Sequence, residues 1–175
     1  LRMAEKTRLL QHFPCILFQV GNDVSAMEIG ERVDLGKGFW LINRLSAGAM
    51  IDGIRGQNIP FNSKAIDRTD GLHRIVSHKS TDVRLPSYVR SGSVFRIGMR
   101  FVRKLVEYQG EIRMDHRKKA TYHLHWAVES PQCQRVLEWF VPEEGVTAQQ
   151  EAELERVVEE GAALGIEVLV FRVSA

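Results

Sequence analysis

Cysteine is nearly absent: Cys15 and Cys133 are the two in a chain of 175 residues, far apart and each in apolar sequence. That leaves no disulfide framework to hold a small fold, and both are expected to be reduced, structural thiols in a cytoplasmic protein. Long hydrophobic runs are also missing. No apolar stretch approaches the roughly 18 residues that a membrane-crossing helix needs, and the opening Leu1-Arg2-Met3-Ala4-Glu5-Lys6 lacks the apolar region of a secretory signal. A chain that begins with Leu is consistent with a fragment of something longer. Internal repeats and low-complexity tracts are absent, and so is a large excess of one charge, the formal net charge being +2. What is present is ordinary for a folded protein: 44% hydrophobic and 26% charged residues exclude wholesale disorder. The length suits one domain over 1–175, with a possible division into a β-rich part over 1–72 and a basic segment plus β-β-α-β over 73–175.

The small net charge conceals a strong segregation. Residues 74–119 carry 12 basic and 4 acidic side chains, whereas residues 143–175 carry 2 and 8. A basic middle inside a near-neutral chain offers a local positive field to a polyanion. The opposing reading is that the basic middle and the acidic tail neutralise each other on the folded surface.

Along the chain, 3–12 is expected to form a short helix ended by Phe13-Pro14, and Cys15 to Val20 a strand closed by Gly21-Asn22-Asp23. Phe39-Trp40-Leu41-Ile42 and Ala49-Met50-Ile51, punctuated by glycines, read as a strand pair, and 56–72 as a long loop or boundary. In Phe95-Arg96-Ile97-Gly98-Met99-Arg100-Phe101 large apolar residues alternate with Arg and Gly, the period of a half-buried strand, followed by a short helix near Leu105 to Tyr108. Tyr122, Leu124, Trp126 and Val128 alternate with His123, His125 and Ala127, which places both imidazoles on one strand face. This strand is expected to pair as a hairpin with 134–141. Thr147 and Gln150 have capping-box spacing, an apolar stripe runs from Ala148 to Leu164, and Gly165 is placed to end that helix before a buried strand at Ile166 to Val173. The expected class is therefore α+β: β-rich at first, then β-β-α-β, with one amphipathic helix on a mostly antiparallel sheet.

Two histidines at i and i+2 on a strand can converge on one divalent metal, with His116 as a third ligand. His123-Leu124-His125 resembles the His-hydrophobic-His element of the HUH single-strand endonucleases, which include relaxases. That resemblance implies a metal held by the pair to polarise a phosphate and a tyrosine nucleophile, for which Tyr108 or Tyr88 upstream are the candidates, Tyr108 first. A second set of landmarks, Arg8 to Pro14, Leu45-Ser46-Ala47-Gly48 and Arg96 to Val102, resembles PilZ domains, β-barrels that often bind cyclic di-GMP. There His12, Arg44 and Ala49 stand where the family's ligand contacts lie, which implies a regulatory module without dinucleotide binding. Finally, a helix before β-β-α-β is the layout of restriction-endonuclease-like cores, whose chemistry needs an acid and an acid-x-Lys pair. Glu138-Trp139-Phe140 supplies the acid without the lysine, which disfavours an active nuclease of that type but not a catalytically dead DNA-binding relative.

From the residues alone the expected function is nucleic-acid binding, as an accessory in DNA processing, through Arg96, Arg100, Arg103, Lys104, Arg113, Arg117, Lys118 and Lys119 on a basic sheet face. The partner is then DNA or RNA. The alternatives are the PilZ-type regulatory module and an assembly subunit that binds a protein partner, or itself, through the acidic helix 147–164.

Overall fold

A computed structural model of the chain describes residues 32–59, 65–70, 74–115, 120–123 and 128–174. The helix expected at 3–12 and the strand at 15–20 lie outside them. The described elements are β1 (Arg32–Asp34), a 3-10 turn (Phe39–Leu41), α1 (Arg44–Ile54), β2 (Arg68–Asp70), β3 (Arg74–Ser80), a second 3-10 turn (Pro86–Tyr88), α2 (Ser93–Val106), β4 (Glu111–Asp115), β5 (Ala120–His123), β6 (Gln134–Pro142), α3 (Ala148–Ala163) and β7 (Ile166–Ser174).

The α+β class stands, and the chain does close on a strand, an amphipathic helix and a strand. The direction of the strands differs from expectation. The main sheet has the order β1-β7-β6-β3-β2, and all its pairs are parallel except β2 with β3. Parallel strands need a covering crossover and are buried on both faces, which is why β6 and β7 read as nearly unbroken apolar runs. The hairpin expected between 122–128 and 134–141 does not form: β5 pairs with β4 in a separate two-stranded sheet, and β6 lies between β3 and β7.

Alternation along the central strands sends side chains into two cores. Leu137, Trp139 and Val141 of β6 join Ile166, Val168 and Val170 of β7 beneath α2 and α3. Phe140, Phe171 and Val173 face the other way, against Phe39, Ala47 and Ile51 from the first 3-10 turn and α1. The strand pair expected over 39–51 is thus corrected: Phe39 to Leu41 is a tight turn, and Ala49, Met50 and Ile51 belong to α1, whose buried positions Ala47 and Ile51 are four apart.

The largest correction concerns 94–102, which is helix and not strand. Val94, Gly98, Val102 and Leu105 form the buried stripe of α2, at spacings of four, four and three, with Met99 buried beside it. Of the alternating apolar residues, Phe95, Ile97 and Phe101 only flank it. Gly98 is where the helix comes closest to the sheet, since a Cβ there would lie 2.6 Å from Trp139 Cζ3 and 2.7 Å from Val157 Cγ2. Trp139 is fixed in turn by its Nε1 donating to Thr81 Oγ1 at 3.0 Å. Glu153 of α3 accepts from the amides of Gly92 (2.6 Å) and Phe95 (3.0 Å) and so caps α2 from outside. The ends of the C-terminal helix are as expected. Thr147 and Gln150 form a reciprocal capping box on α3, worth about 1 kcal/mol, and Gly165 has φ 77°.

A candidate metal and phosphate site at the β2–β3 edge

The antiparallel β2–β3 pair and the adjoining face of α1 bring together charges that the sequence scatters. Asp52 in the last turn of α1 and Arg55 at its C-cap lie three apart and both point at the sheet, where each is buried. His78 on β3 and Glu138 on β6 are directly opposed in the parallel register. The imidazole joins the two elements: His78 Nδ1 is 2.8 Å from Asp52 Oδ1, and His78 Nε2 is 3.4 Å from Glu138 Oε2. Glu138, 1% exposed, is held on both oxygens. Arg55 donates Nε at 2.8 Å and Nη2 at 2.6 Å, and Arg68 donates Nη2 at 3.2 Å. Burial pushes the Glu138 carboxyl upward, but the hydrogen bond from Arg55 and the surrounding cationic side chains outweigh it and hold the carboxyl below its usual range.

Asp67 stands at the head of the hairpin, just before β2. Its amide donates to Val76 O at 2.8 Å, which fixes it alongside the middle of β3. Its Oδ2 accepts from the His78 amide at 2.6 Å and lies 3.4 Å from both Ser77 Oγ and Lys79 Nζ. Lys79 Nζ also donates to His78 O at 2.6 Å, so the ammonium is directed by two acceptors. Two residues before Asp67, Ala65 adopts φ 72°, an uncommon conformation for a non-glycine residue and the kind of strain that gathers at sites. Asp52, Asp67 and His78 offer ligand atoms that all lie within 4.8 Å of one another. Two carboxylates and an imidazole suit a hard or borderline divalent cation. Asp52 and His78 are buried, while Asp67 and Lys79 are partly open to solvent, an arrangement that leaves a substrate room to approach.

The residues expected from sequence are distributed differently. Arg96, Arg100, Arg103 and Lys104 share the exposed face of α2, a helix and not a sheet face. Arg113 is on β4 and His123 on β5, whereas His116, Arg117, Lys118, Lys119 and His125 lie outside the described residues. Tyr108 is 5% exposed, its hydroxyl donates to Glu111 O at 3.0 Å, and burial raises its pKa further, all unfavourable to a nucleophile. The PilZ landmarks Leu45 to Gly48 and Arg96 to Val102 lie within α1 and α2 and not on barrel strands. Cys133 is a free thiol pushed up by burial. The basic middle meets the acidic tail in one described ion pair, Arg74 with Glu167 at 3.8 Å, while on the acidic helix Glu151 meets Arg172 and Glu160 meets Arg156.

Asp52, Asp67, Ser77, His78 and Lys79 were not singled out by sequence reasoning. The available signal was Ser77-His78-Lys79 ending a β-type run ten residues after Asp67. It keeps the lysine of an acid-x-Lys pair with serine in the acid's place, and the acid comes from the partner strand's start.

A helix with an inward acid, a second acid at the head of a hairpin, a lysine on the next strand and a closing β-α-β are the parts of a restriction-endonuclease-like core. Comparison with protein families agrees: the model described as the CDI toxin restriction endonuclease-like domain matches residues 47–171. The chain belongs to that family. Among solved structures it is similar to a CdiA-CT/CdiI toxin and immunity complex from Yersinia pseudotuberculosis, with a TM-score of 0.54 and 20% identity, over 68% of this chain and 90% of that one. Comparison with curated proteins gave no match.

Proposed function

We propose that the chain is a divalent-metal-dependent nuclease domain of a toxin, which hydrolyses phosphodiester bonds of nucleic acid at the β2–β3 edge. The observation that carries this reading is the convergence of Asp52, Asp67 and His78 within 4.8 Å beside an ammonium 3.4 Å from Asp67. Asp52, Asp67 and His78 would hold the ion. A bound divalent metal supplies Lewis acidity toward a phosphoryl oxygen and lowers the pKa of a water ligand. The remaining work falls to the chain. Lys79, aimed by His78 O and Asp67, sets a fixed positive charge where a phosphate gains negative charge as water adds and the ester P–O bond breaks. Ser77 and the His78 amide hold the Asp67 carboxylate. Glu138, with Arg55 and Arg68, holds His78 and the hairpin from behind and acts as a positioning residue.

The test is cleavage of plasmid DNA and of single-stranded DNA and RNA by the purified chain with Mg²⁺, Mn²⁺ or Zn²⁺, and with EDTA. Cleavage is expected with metal, none with EDTA, and a loss of at least 100-fold, on the order of removing an electrostatic stabiliser, in Asp67→Asn and Lys79→Ala proteins that retain the native circular dichroism. Cleavage in EDTA, or full activity in Asp67→Asn, would overturn the reading. The similar Yersinia structure holds a toxin with an immunity protein, which supports a protein partner for this chain as well, one that blocks its action.

A further inference from the structure

We propose that the exposed face of α2 is the seat of a nucleic-acid backbone, with Arg96, Arg100, Arg103 and Lys104 contacting successive phosphates and delivering the strand to Lys79; this rests on the nuclease reading above. The four residues occupy offsets of zero, four, seven and eight along the helix, so they share one face. At 1.5 Å per residue they span about 12 Å, which matches between three and four steps of a strand at about 3.4 Å each. The helix cannot roll to hide them. Its opposite face is locked by Val94, Gly98, Val102 and Leu105, and Gly98 leaves no space against Trp139.

The cations are not used internally. Arg96 donates to Ser93 Oγ at 3.0 Å, and among the described residues none of the four has an ion-pair partner, although the acidic helix α3 packs alongside. The α3 acids that touch neighbours are engaged elsewhere: Glu153 caps α2, Glu151 meets Arg172, and Glu160 meets Arg156. The negative C-terminal end of α2 accounts for cations in its last turn, Arg103 and Lys104, but not for Arg96 and Arg100 further up. Two surface grooves connect the stripe to the site. One, of about 470 Å³, runs along Arg96, Arg100 and Arg103 to Lys104. The other, of about 640 Å³, is lined by Lys104 again together with Lys79, Ala65 and Gln109. Lys104 and Glu107 are common to both, so a strand lying along α2 reaches the ammonium beside Asp67 along a path that passes two carboxylates, Glu107 and Glu111.

The experiment is fluorescence anisotropy of a labelled 30-base-pair DNA duplex, a single-stranded DNA and an RNA hairpin, all in EDTA so that cleavage plays no part, over a range of salt concentrations. Arg100→Glu/Arg103→Glu is expected to weaken binding at least tenfold at about 0.1 M salt and to flatten the slope of log affinity against log salt by about two, near one per lost contact. Arg32→Glu/Lys37→Glu, exposed positions on and just after β1 at the opposite edge of the sheet from β2, make the same change in net charge and are expected to shift affinity less than threefold. Arg100→Gln/Arg103→Gln gives the milder test if the charge reversal unfolds, which circular dichroism reports. Equal weakening by both pairs, an unchanged slope, or no binding of any of the three probes by the native chain would overturn the proposal. Native cleavage without metal would sink the nuclease reading and leave this one standing, whereas unchanged binding in the α2 variant would do the reverse.

Discussion

Replacing Glu138 by alanine tests the idea that a buried charge network holds the candidate site. The carboxylate accepts two hydrogen bonds from Arg55, at 2.6 and 2.8 Å, and one from Arg68 at 3.2 Å, and the side chains of Arg55 and Glu138 are 4% and 1% exposed. Removing one partner of a buried pair typically costs about 3–5 kcal/mol, because the other charge stays desolvated. For a chain of this size each kcal/mol moves Tm by about 2–4 °C, so Glu138→Ala is expected to melt about 6–20 °C lower. Urea unfolding followed by tryptophan fluorescence gives the free energy, and differential scanning calorimetry gives Tm. The double variant Arg55→Met/Glu138→Met removes both charges and fills the space, and is expected to cost less than Glu138→Ala alone. A loss below about 1 kcal/mol in Glu138→Ala, or a double variant whose cost equals the sum of the singles, would refute the reasoning.

Gly98→Ala pushes a methyl group to within 2.6 Å of a fixed indole and is expected to destabilise by about 2–3 kcal/mol or more despite alanine's better helix propensity; an increase in stability measured by urea unfolding would contradict the packing described. Glu153 is raised by burial but lowered more by the amides of Gly92 and Phe95, so its folded pKa lies below its unfolded one. Its stabilisation is therefore complete above about pH 4.3 and lost as pH falls through the lower folded value. Glu153→Gln is expected to show a shallower loss of stability below that pH, and an unchanged acid slope would count against the cap. Tyr108→Phe is expected to cost about 1 kcal/mol, through the lost bond to Glu111 O, and mass spectrometry of the native chain incubated with DNA and metal should detect no phosphotyrosyl adduct; finding one on Tyr108 would restore the covalent mechanism.

Some of this structure was legible from sequence for clear reasons. The α3 helix announces itself by local chemistry: the Thr147–Gln150 box and Gly165 are found as expected, and of the apolar stripe Leu154 and Val157 are buried, joined by Gln150, Glu153 and Gly161 in place of the alanines and Leu164. The α2 helix does not, because Phe95, Ile97, Met99 and Phe101 alternate like a strand, while the residue at the centre of its true buried stripe is Gly98, whose lack of a side chain is the packing feature. Parallel pairing was hidden for a related reason: the partner of β6 on one side is β3, about sixty residues earlier, and no local signal links them. The candidate site is equally non-local. Asp52 comes from a helix, Asp67 from the head of a hairpin and Lys79 from the next strand, and Ser77 occupies the place where an acid would have completed a short motif. Glu138 drew attention as the acid of a failed acid-x-Lys element, yet its neighbours make it a buried partner of arginines. Arg96, Arg100, Arg103 and Lys104 of the basic segment are exposed, but on a helix and not on the sheet face expected of them.

The most direct measurement is Mn²⁺ titration by calorimetry, with DNA cleavage followed in the same samples, for the native chain and for Asp52→Asn/Asp67→Asn. Saturable Mn²⁺ binding that tracks the onset of cleavage is expected in the native chain, and both should vanish in the variant while its circular dichroism stays native. Undiminished Mn²⁺ binding in the variant, or cleavage that proceeds with no metal bound, would contradict the assignment of the β2–β3 edge as a metal-dependent nuclease site.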